Sequence, residues 1–113
     1  MAQTASGLKP VLRRYLETLK QMGIRVERVY LYGSQARGDA HAGSDIDLIV
    51  VSPDWAGYSL RERLEILGVA AARILEPIQA QGFTPHEIEQ AQIPLFWRQI
   101  LHDQAIEVYP LAS

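Results

Sequence analysis

The sequence contains no cysteine among its 113 residues. Disulfide bonds and thiolate metal sites are therefore excluded as sources of stability or chemistry. It also has no apolar run close to the ~20 residues that a membrane-spanning helix needs, and its first ten residues contain no segment typical of a signal peptide. We therefore expect a soluble, cytoplasmic protein with no membrane partner.

An excess of basic side chains is also missing. Eleven lysines and arginines face thirteen aspartates and glutamates, so the net charge is −2. Proteins that hold long nucleic acid usually carry a basic surface against the phosphates, so long nucleic acid is not the expected substrate. The length and the 48% of hydrophobic residues fit one domain, residues 1–113, with a single compact core.

The first half of the chain predicts a helix, a strand and a turn. Apolar residues at helical spacing between Leu8 and Met22 predict a helix that begins near Pro10, because proline is tolerated in the first turn. The segment from Val26 to Tyr32 predicts a strand of β-branched and aromatic residues. The run from Gly33 to Gly38 then predicts a turn that opens one or two helical turns.

The second half predicts two further strands and several helices. Asp45 to Val51 predicts a strand that begins polar and ends apolar. Ser59 to Arg73 predicts a helix with a capping box, and Ile74 to Gln79 predicts a weaker strand that Pro77 confines to an edge. Short helices after Thr84 and Pro94 and a short strand or extended tail at 106–109 complete the order. The expected fold class is α/β or α+β, a small mixed β-sheet covered by helices on one side.

Asp45 and Asp47 begin a predicted strand whose remainder is strongly apolar. Alternation along a strand sends residues two apart to the same face, about 6–7 Å from each other along the backbone. Two converging carboxylates repel unless a cation or a proton lies between them. Mg²⁺ is the natural cation, because it takes one or two carboxylates together with substrate phosphates. An isolated Asp-x-Asp is more often a solvated strand end, so the interpretation depends on the turn before it.

That turn contains Gly33, Ser34 and Arg37. Glycine permits close approach of the backbone to a ligand. If Ser34 opens a short helix, its amide and hydroxyl can bind a phosphate, and Arg37, about one turn later, can neutralise phosphate charge. The turn and the carboxylate pair together predict a site for a metal–triphosphate.

The pattern Gly33-Ser34, ten residues, then Asp45-x-Asp47 resembles the signature of the DNA polymerase beta nucleotidyltransferase superfamily. The fuller run from Gly33 to Val51, GSQARGDAHAGSDIDLIVV, resembles the minimal nucleotidyltransferases of prokaryotes. The resemblance covers most of the chain and implies a fold like the palm of polymerase beta. It implies that Asp45 and Asp47 hold Mg²⁺ or Mn²⁺, and that Gly33, Ser34 and Arg37 bind the triphosphate.

Two further residues complete the predicted site. Ser44 precedes Asp45 and is expected to fix the loop by hydrogen bonding to the backbone, beside the nucleotide. The family normally adds a third carboxylate on a later strand, which completes the metal site and helps to deprotonate the attacking hydroxyl. Glu76 is the candidate, because it alternates with apolar Ile74 and Ile78 in the predicted third strand. Its alternative interpretation is a plain exposed edge residue.

The resemblance implies in-line attack on the α-phosphate of ATP and transfer of AMP. Relatives of this kind are antitoxins that adenylylate a tyrosine on a HEPN-family ribonuclease toxin. The first hypothesis is therefore a protein adenylyltransferase that forms a hetero-oligomer with a HEPN-family partner. The second is a nucleotide-binding module that neutralises its partner by complex formation alone. Transfer to an aminoglycoside-like molecule is disfavoured, because such enzymes usually carry an additional acceptor-binding domain.

Overall fold

The computed structural model describes residues 3–38 and 45–110, with side chains from Gly7 onward. Its helices are α1 Gln3–Gln21, α2 Gly33–Arg37, α3 Leu60–Arg73, α4 Pro85–Glu89 and α5 Leu95–Asp103. Its strands are β1 Arg28–Tyr32, β2 Ile46–Val51, β3 Ile78–Phe83 and β4 Ile106–Tyr109. A 3₁₀ helix, Pro53–Gly57, follows β2. Within these ranges no helix is long and apolar enough to cross a membrane.

The four strands form one mixed sheet in the order β3-β2-β1-β4. β1 is antiparallel to both β2 and β4, whereas β2 and β3 run parallel. The parallel pair is joined through α3, as a crossover between parallel strands requires. The predicted α/β class with a small mixed sheet is confirmed, and residues 106–109 form a strand rather than a tail.

One face of the sheet packs beneath α1 and α3. The Tyr15 hydroxyl of α1 donates a hydrogen bond to the Leu67 carbonyl of α3 at 2.9 Å, which ties the two helices together. Burial raises the pKa of Tyr15, so the phenol stays protonated and keeps this bond. The main cluster on this face includes Val29, Leu31, Ile46, Leu48, Val50 and Ile78 from the sheet, Leu12, Tyr15 and Leu19 from α1, and Leu67, Ala70 and Ala71 from α3.

The other face is partly covered as well, so the prediction of helices on one side only is wrong. Ile49, Val51 and Phe83 pack there with Ile93 and with Ile100 of α5. Beyond Asp47 every residue of β2 is apolar, so both faces of the strand have apolar area to bury. At the start of β2 this second face carries polar side chains, those of Asp45, Asp47 and Gln79.

Two predicted boundaries also differ from the structure. α1 begins at Gln3, and Pro10 lies inside it rather than in its first turn. Proline removes one backbone hydrogen bond, but Leu8 and Val11 on either side pack against the core and hold the helix together across it.

The third strand begins later than predicted, at Ile78 rather than Ile74. The chain first closes α3: the amides of Leu75 and Glu76 donate to the carbonyls of Ala72 and Ala71 at 3.1 and 3.2 Å. Leu75 then takes a φ of 57°, a left-handed conformation that is common just after the end of a helix. The predicted starts of α3 and α4 are confirmed, because Ser59 and Thr84 each form a complete capping box, with Glu62 and Glu87.

Candidate active site

The predicted site residues meet where β1 ends and β2 begins. Tyr32, the last residue of β1, pairs with Asp47 of β2, and α2 starts at the next residue, Gly33. Asp45 lies immediately before β2 and is exposed, whereas Asp47 is half-buried within the strand. Antiparallel pairing therefore brings the Gly-Ser turn beside the carboxylate pair, as the sequence pattern predicted.

The Asp47 carboxylate lies directly against the backbone of Gly33. A Cβ atom added at Gly33 would collide with Asp47 Oδ2. Gly33 also has a φ of +74°, in the left-handed region that side chains other than glycine rarely adopt. The glycine is therefore required both for the turn and for the position of the carboxylate.

The surroundings of Asp47 disfavour its negative charge, so a nearby positive charge would be favourable. Burial raises the pKa of its carboxyl, the neighbouring charge of Asp45 raises it further, and the guanidinium of Arg37 lowers it. The two carboxylates are thus close enough to repel each other, and Arg37 is close enough to act on one of them. A cation bound between the aspartates would relieve that repulsion.

Tyr32 forms the side of the site next to Asp47. Burial, with a smaller contribution from the charge of Asp47, raises the pKa of Tyr32 to about 12. Its ring packs edge-on against Trp97 of α5, with the ring centroids 5.5 Å apart. The phenol is therefore neutral at physiological pH, and the contact with Trp97 fixes its ring.

α2 presents the predicted phosphate-binding residues. Ser34 lies in its first turn and is half-buried, while Arg37 lies in its last turn and is exposed. Gly38, with a φ of 80°, ends the helix and donates its amide to the Ser34 carbonyl. The side chain of Tyr32 does not cap the start of α2. Ser44 lies outside the described residues.

Glu76 does not join the two aspartates. It precedes β3 and forms an ion pair with Arg14 of α1, with Oε2 and Nη2 3.6 Å apart. Arg14 Nη2 also donates to the Ile74 carbonyl at 2.7 Å, which keeps the pair at the end of α3. Among the described residues, no group of three or more acidic or histidine side chains could hold a metal ion. Because β3 begins at Ile78, the predicted location of Glu76 in a strand is wrong.

The side chain that the sheet does bring beside the aspartates is Gln79. It pairs in register with Asp47 across the parallel β2–β3 ladder, and its Nε2 donates to Asp45 Oδ2 at 3.0 Å. The sequence pattern does not single out Gln79, because the predicted strand begins four residues before β3 and has Gln79 as its last residue. Pro77 as the residue before a strand, followed by the alternating run from Ile78 to Gly82, was the available signal.

The donor set fits a divalent cation that is shared with a substrate. Two carboxylates on one face of the sheet supply hard oxygen ligands, and Mg²⁺ commonly takes one or two carboxylates and completes its shell with phosphates and water. The structural observation that supports this fit is the position of the pair: the Asp47 carboxylate lies against the backbone of Gly33, and the Asp45 carboxylate accepts a hydrogen bond from Gln79, which pairs in register with Asp47.

Comparison with known proteins gives independent information on the family. A family model for nucleotidyltransferase domains matches residues 12–105. Two Methanocaldococcus jannaschii proteins, each named putative protein adenylyltransferase, are similar in sequence. The first is 35% identical over 65 residues, which are 58% of this chain and 64% of the relative. The second is 34% identical over 67 residues, which are 56% of this chain and 77% of the relative. The match thus spans less than two thirds of the first relative's length.

Solved structures share the fold. A chain from a toxin–antitoxin crystal structure with AMP-PNP superposes with a TM-score of 0.61 at 18% identity, covering 86% of this chain and 71% of that one. A putative nucleotidyltransferase from Sulfolobus solfataricus superposes with a TM-score of 0.56 at 20% identity, covering 95% of this chain and 78% of the other. At these identities the likeness concerns the arrangement of helices and strands alone.

Proposed function

This chain belongs to the family of nucleotidyltransferase domains, and from that premise we propose that it transfers AMP from ATP to a hydroxyl group in a reaction that requires a divalent metal. The observation that carries the proposal is the contact between Gly33 and Asp47, with Asp45 hydrogen-bonded to Gln79 on the same face. It brings the turn that we propose to bind phosphate beside the carboxylate pair.

Asp45 and Asp47 are the proposed holders of Mg²⁺ or Mn²⁺. The bound ion would supply charge neutralisation for the phosphates. Asp47 is positioned for this by the backbone of Gly33 and Asp45 by the amide of Gln79. Ser34 at the start of α2 and Arg37 one turn later are the proposed ligands of the triphosphate.

The proposed reaction is an in-line substitution at the α-phosphorus of ATP. The acceptor oxygen forms a bond to the α-phosphorus while the bond to the bridging oxygen breaks, so pyrophosphate leaves and the hydroxyl proton passes to solvent. The chain's part in this step is positioning, together with charge compensation by Arg37.

The proposed acceptor is a tyrosine of a HEPN-family protein partner, so that the chain acts as the antitoxin of a pair. The names of the two curated relatives support a protein acceptor. The neighbour from a toxin–antitoxin complex supports both a partner protein and an adenine nucleotide.

The second candidate is a nucleotide-binding module that neutralises its partner by complex formation alone. It is favoured by the composition of the sheet beside the aspartates, where Gln79 rather than a carboxylate lies next to the pair. Under this proposal the chain binds its partner without labelling it.

Incubation with ATP labelled at the α-phosphate, Mg²⁺ and a purified HEPN-family partner separates the two candidates. Label on the partner supports the transferase, and a complex without label supports the module. Asp45→Asn combined with Asp47→Asn should abolish labelling and preserve the fold, whereas Asp103→Asn, at an exposed site at the end of α5, should label normally. Undiminished labelling by the double variant would overturn the assignment of the site.

A further inference from the structure

Gln79 is brought to the candidate site by strand register. β3 runs parallel to β2 with Ile78 opposite Ile46 and Gln79 opposite Asp47. Neighbouring residues in a parallel ladder point to the same face of the sheet, so Gln79 lies on the face that carries Asp47. Ile78 faces the opposite way, into the core under α3.

The amide of Gln79 makes a specific contact with the carboxylate pair. Its Nε2 donates to Oδ2 of Asp45 at 3.0 Å, across the start of the two strands. Asp45 is exposed and precedes the first residue of β2, so the sheet backbone restrains it less than it restrains Asp47. A hydrogen bond to one carboxylate oxygen restricts the rotation of the side chain and leaves the other oxygen available to a cation.

The side chain at position 79 determines whether the neighbour of the aspartates adds a charge or a hydrogen-bond donor to the pair. Within β3, Ile78–Phe83, there is no carboxylate, and Gln79 is the polar side chain that reaches the pair. A glutamine amide is neutral and donates through nitrogen. It therefore orients Asp45 without adding to the negative charge of two carboxylates that already repel each other.

We infer that Gln79 is a positioning residue of the metal site, whose amide holds Asp45 in the orientation that binds the cation, so that the chain's metal site consists of two carboxylates and one orienting amide. The inference rests on the proposed function, because it assumes that the aspartates bind a divalent metal. Partners that hold a metal ligand in place are worth about 10–100-fold in metal affinity.

The test is a titration of the metal-free protein with Mn²⁺, followed by electron paramagnetic resonance. Gln79→Met keeps the length of the side chain and removes the donor. It should weaken Mn²⁺ binding about tenfold or more. Gln81→Met is the matched control, because Gln81 lies two residues along the same strand and on the same face. It should bind Mn²⁺ as the natural protein does, and Asp45→Asn should lose binding.

A second measurement separates positioning from folding. Gln79 is exposed, so the metal-free melting temperature of Gln79→Met should match that of the natural protein. If Gln79→Met does not fold, Gln79→Ala carries the same titration. A weaker Mn²⁺ affinity at an unchanged metal-free melting temperature supports a positioning role, whereas equal weakening by Gln79→Met and Gln81→Met overturns it.

The outcomes distinguish this inference from the function on which it rests. If Asp45→Asn loses Mn²⁺ while Gln79→Met binds it as tightly as the natural protein, Gln79 has no positioning role and the metal site stands. If the natural protein and Asp45→Asn bind Mn²⁺ equally, or neither binds it, the metal site and the role of Gln79 are both overturned.

Discussion

The carboxylate of Asp47 lies against the backbone of Gly33, in the space that a Cβ atom would occupy. This contact links the end of β1 to the start of β2. Two separate features require glycine at position 33: the φ of +74° and the close approach of the carboxylate each exclude a side chain.

The first prediction concerns that contact. Gly33→Ala should displace the Asp47 carboxylate and weaken Mn²⁺ binding about 10–100-fold. Gly38→Ala is the matched control, because Gly38 has a similar φ of +80° but a Cβ added there would meet no heavy atom within 4 Å. Both variants should lose about 1–2 kcal/mol of stability from left-handed backbone strain. Titration with Mn²⁺ and urea denaturation measure the two effects; equal Mn²⁺ affinity in both variants would contradict the role of the contact.

The second prediction concerns the cost of the carboxylate pair. Because burial and Asp45 raise the pKa of Asp47, its ionised form is less favourable in the folded protein than in the unfolded chain. Asp47→Asn should therefore raise the melting temperature of the metal-free protein. Mn²⁺ should raise the melting temperature of the natural protein and leave that of Asp47→Asn unchanged.

Asp103→Asn is the control for that measurement, because Asp103 is exposed at the end of α5 and its carboxylate contacts the ring of His102. Its melting temperature should respond to Mn²⁺ as the natural protein does. A metal-free Asp47→Asn variant that melts below the natural protein would show that Asp47 contributes to folding rather than opposing it.

The parts of the site that could be predicted from sequence are those fixed by local pattern. Gly33-Ser34 and Asp45-x-Asp47 are close in sequence, and antiparallel pairing of β1 with β2 brings them together. Strand alternation predicts both aspartates on one face, and the hydrogen bond from Gln79 to Asp45 agrees with it, because Gln79 pairs in register with Asp47.

The position of Gln79 beside the aspartates depends on a longer connection and could not be derived in the same way. The position of β3 depends on where α3 ends and on how Leu75 and Pro77 turn the chain, and the periodic pattern does not record the φ of 57° at Leu75. A difference of four residues in the start of the strand replaced Glu76 with Gln79 as the neighbour of the aspartates.

The third prediction concerns Glu76. Its carboxylate pairs with Arg14 before β3 begins, so Glu76→Gln should retain the Mn²⁺ affinity of the natural protein. The partly exposed ion pair with Arg14 contributes about 0–1 kcal/mol, so the loss of stability should be small. Mn²⁺ titration and urea denaturation of Glu76→Gln measure both effects. A loss of Mn²⁺ binding comparable with that of Asp45→Asn would restore Glu76 as a metal ligand.

The last prediction concerns the ion pair that joins α3 to α4. Arg63 is buried and holds Glu87 through two hydrogen bonds of 2.8 and 3.0 Å, which keep the pKa of Glu87 below its usual range. A lowered pKa stabilises the fold above the unfolded value of about 4.3, and this contribution is lost as the pH falls through the folded value.

Glu87→Gln keeps an oxygen for the Thr84 cap and should cost about 1.5–3 kcal/mol at neutral pH. Urea denaturation should show this deficit shrinking in acid, while Glu89→Gln, at an exposed site on the same helix, should show none at either pH. A deficit that stays constant in acid would assign the loss to packing rather than to charge.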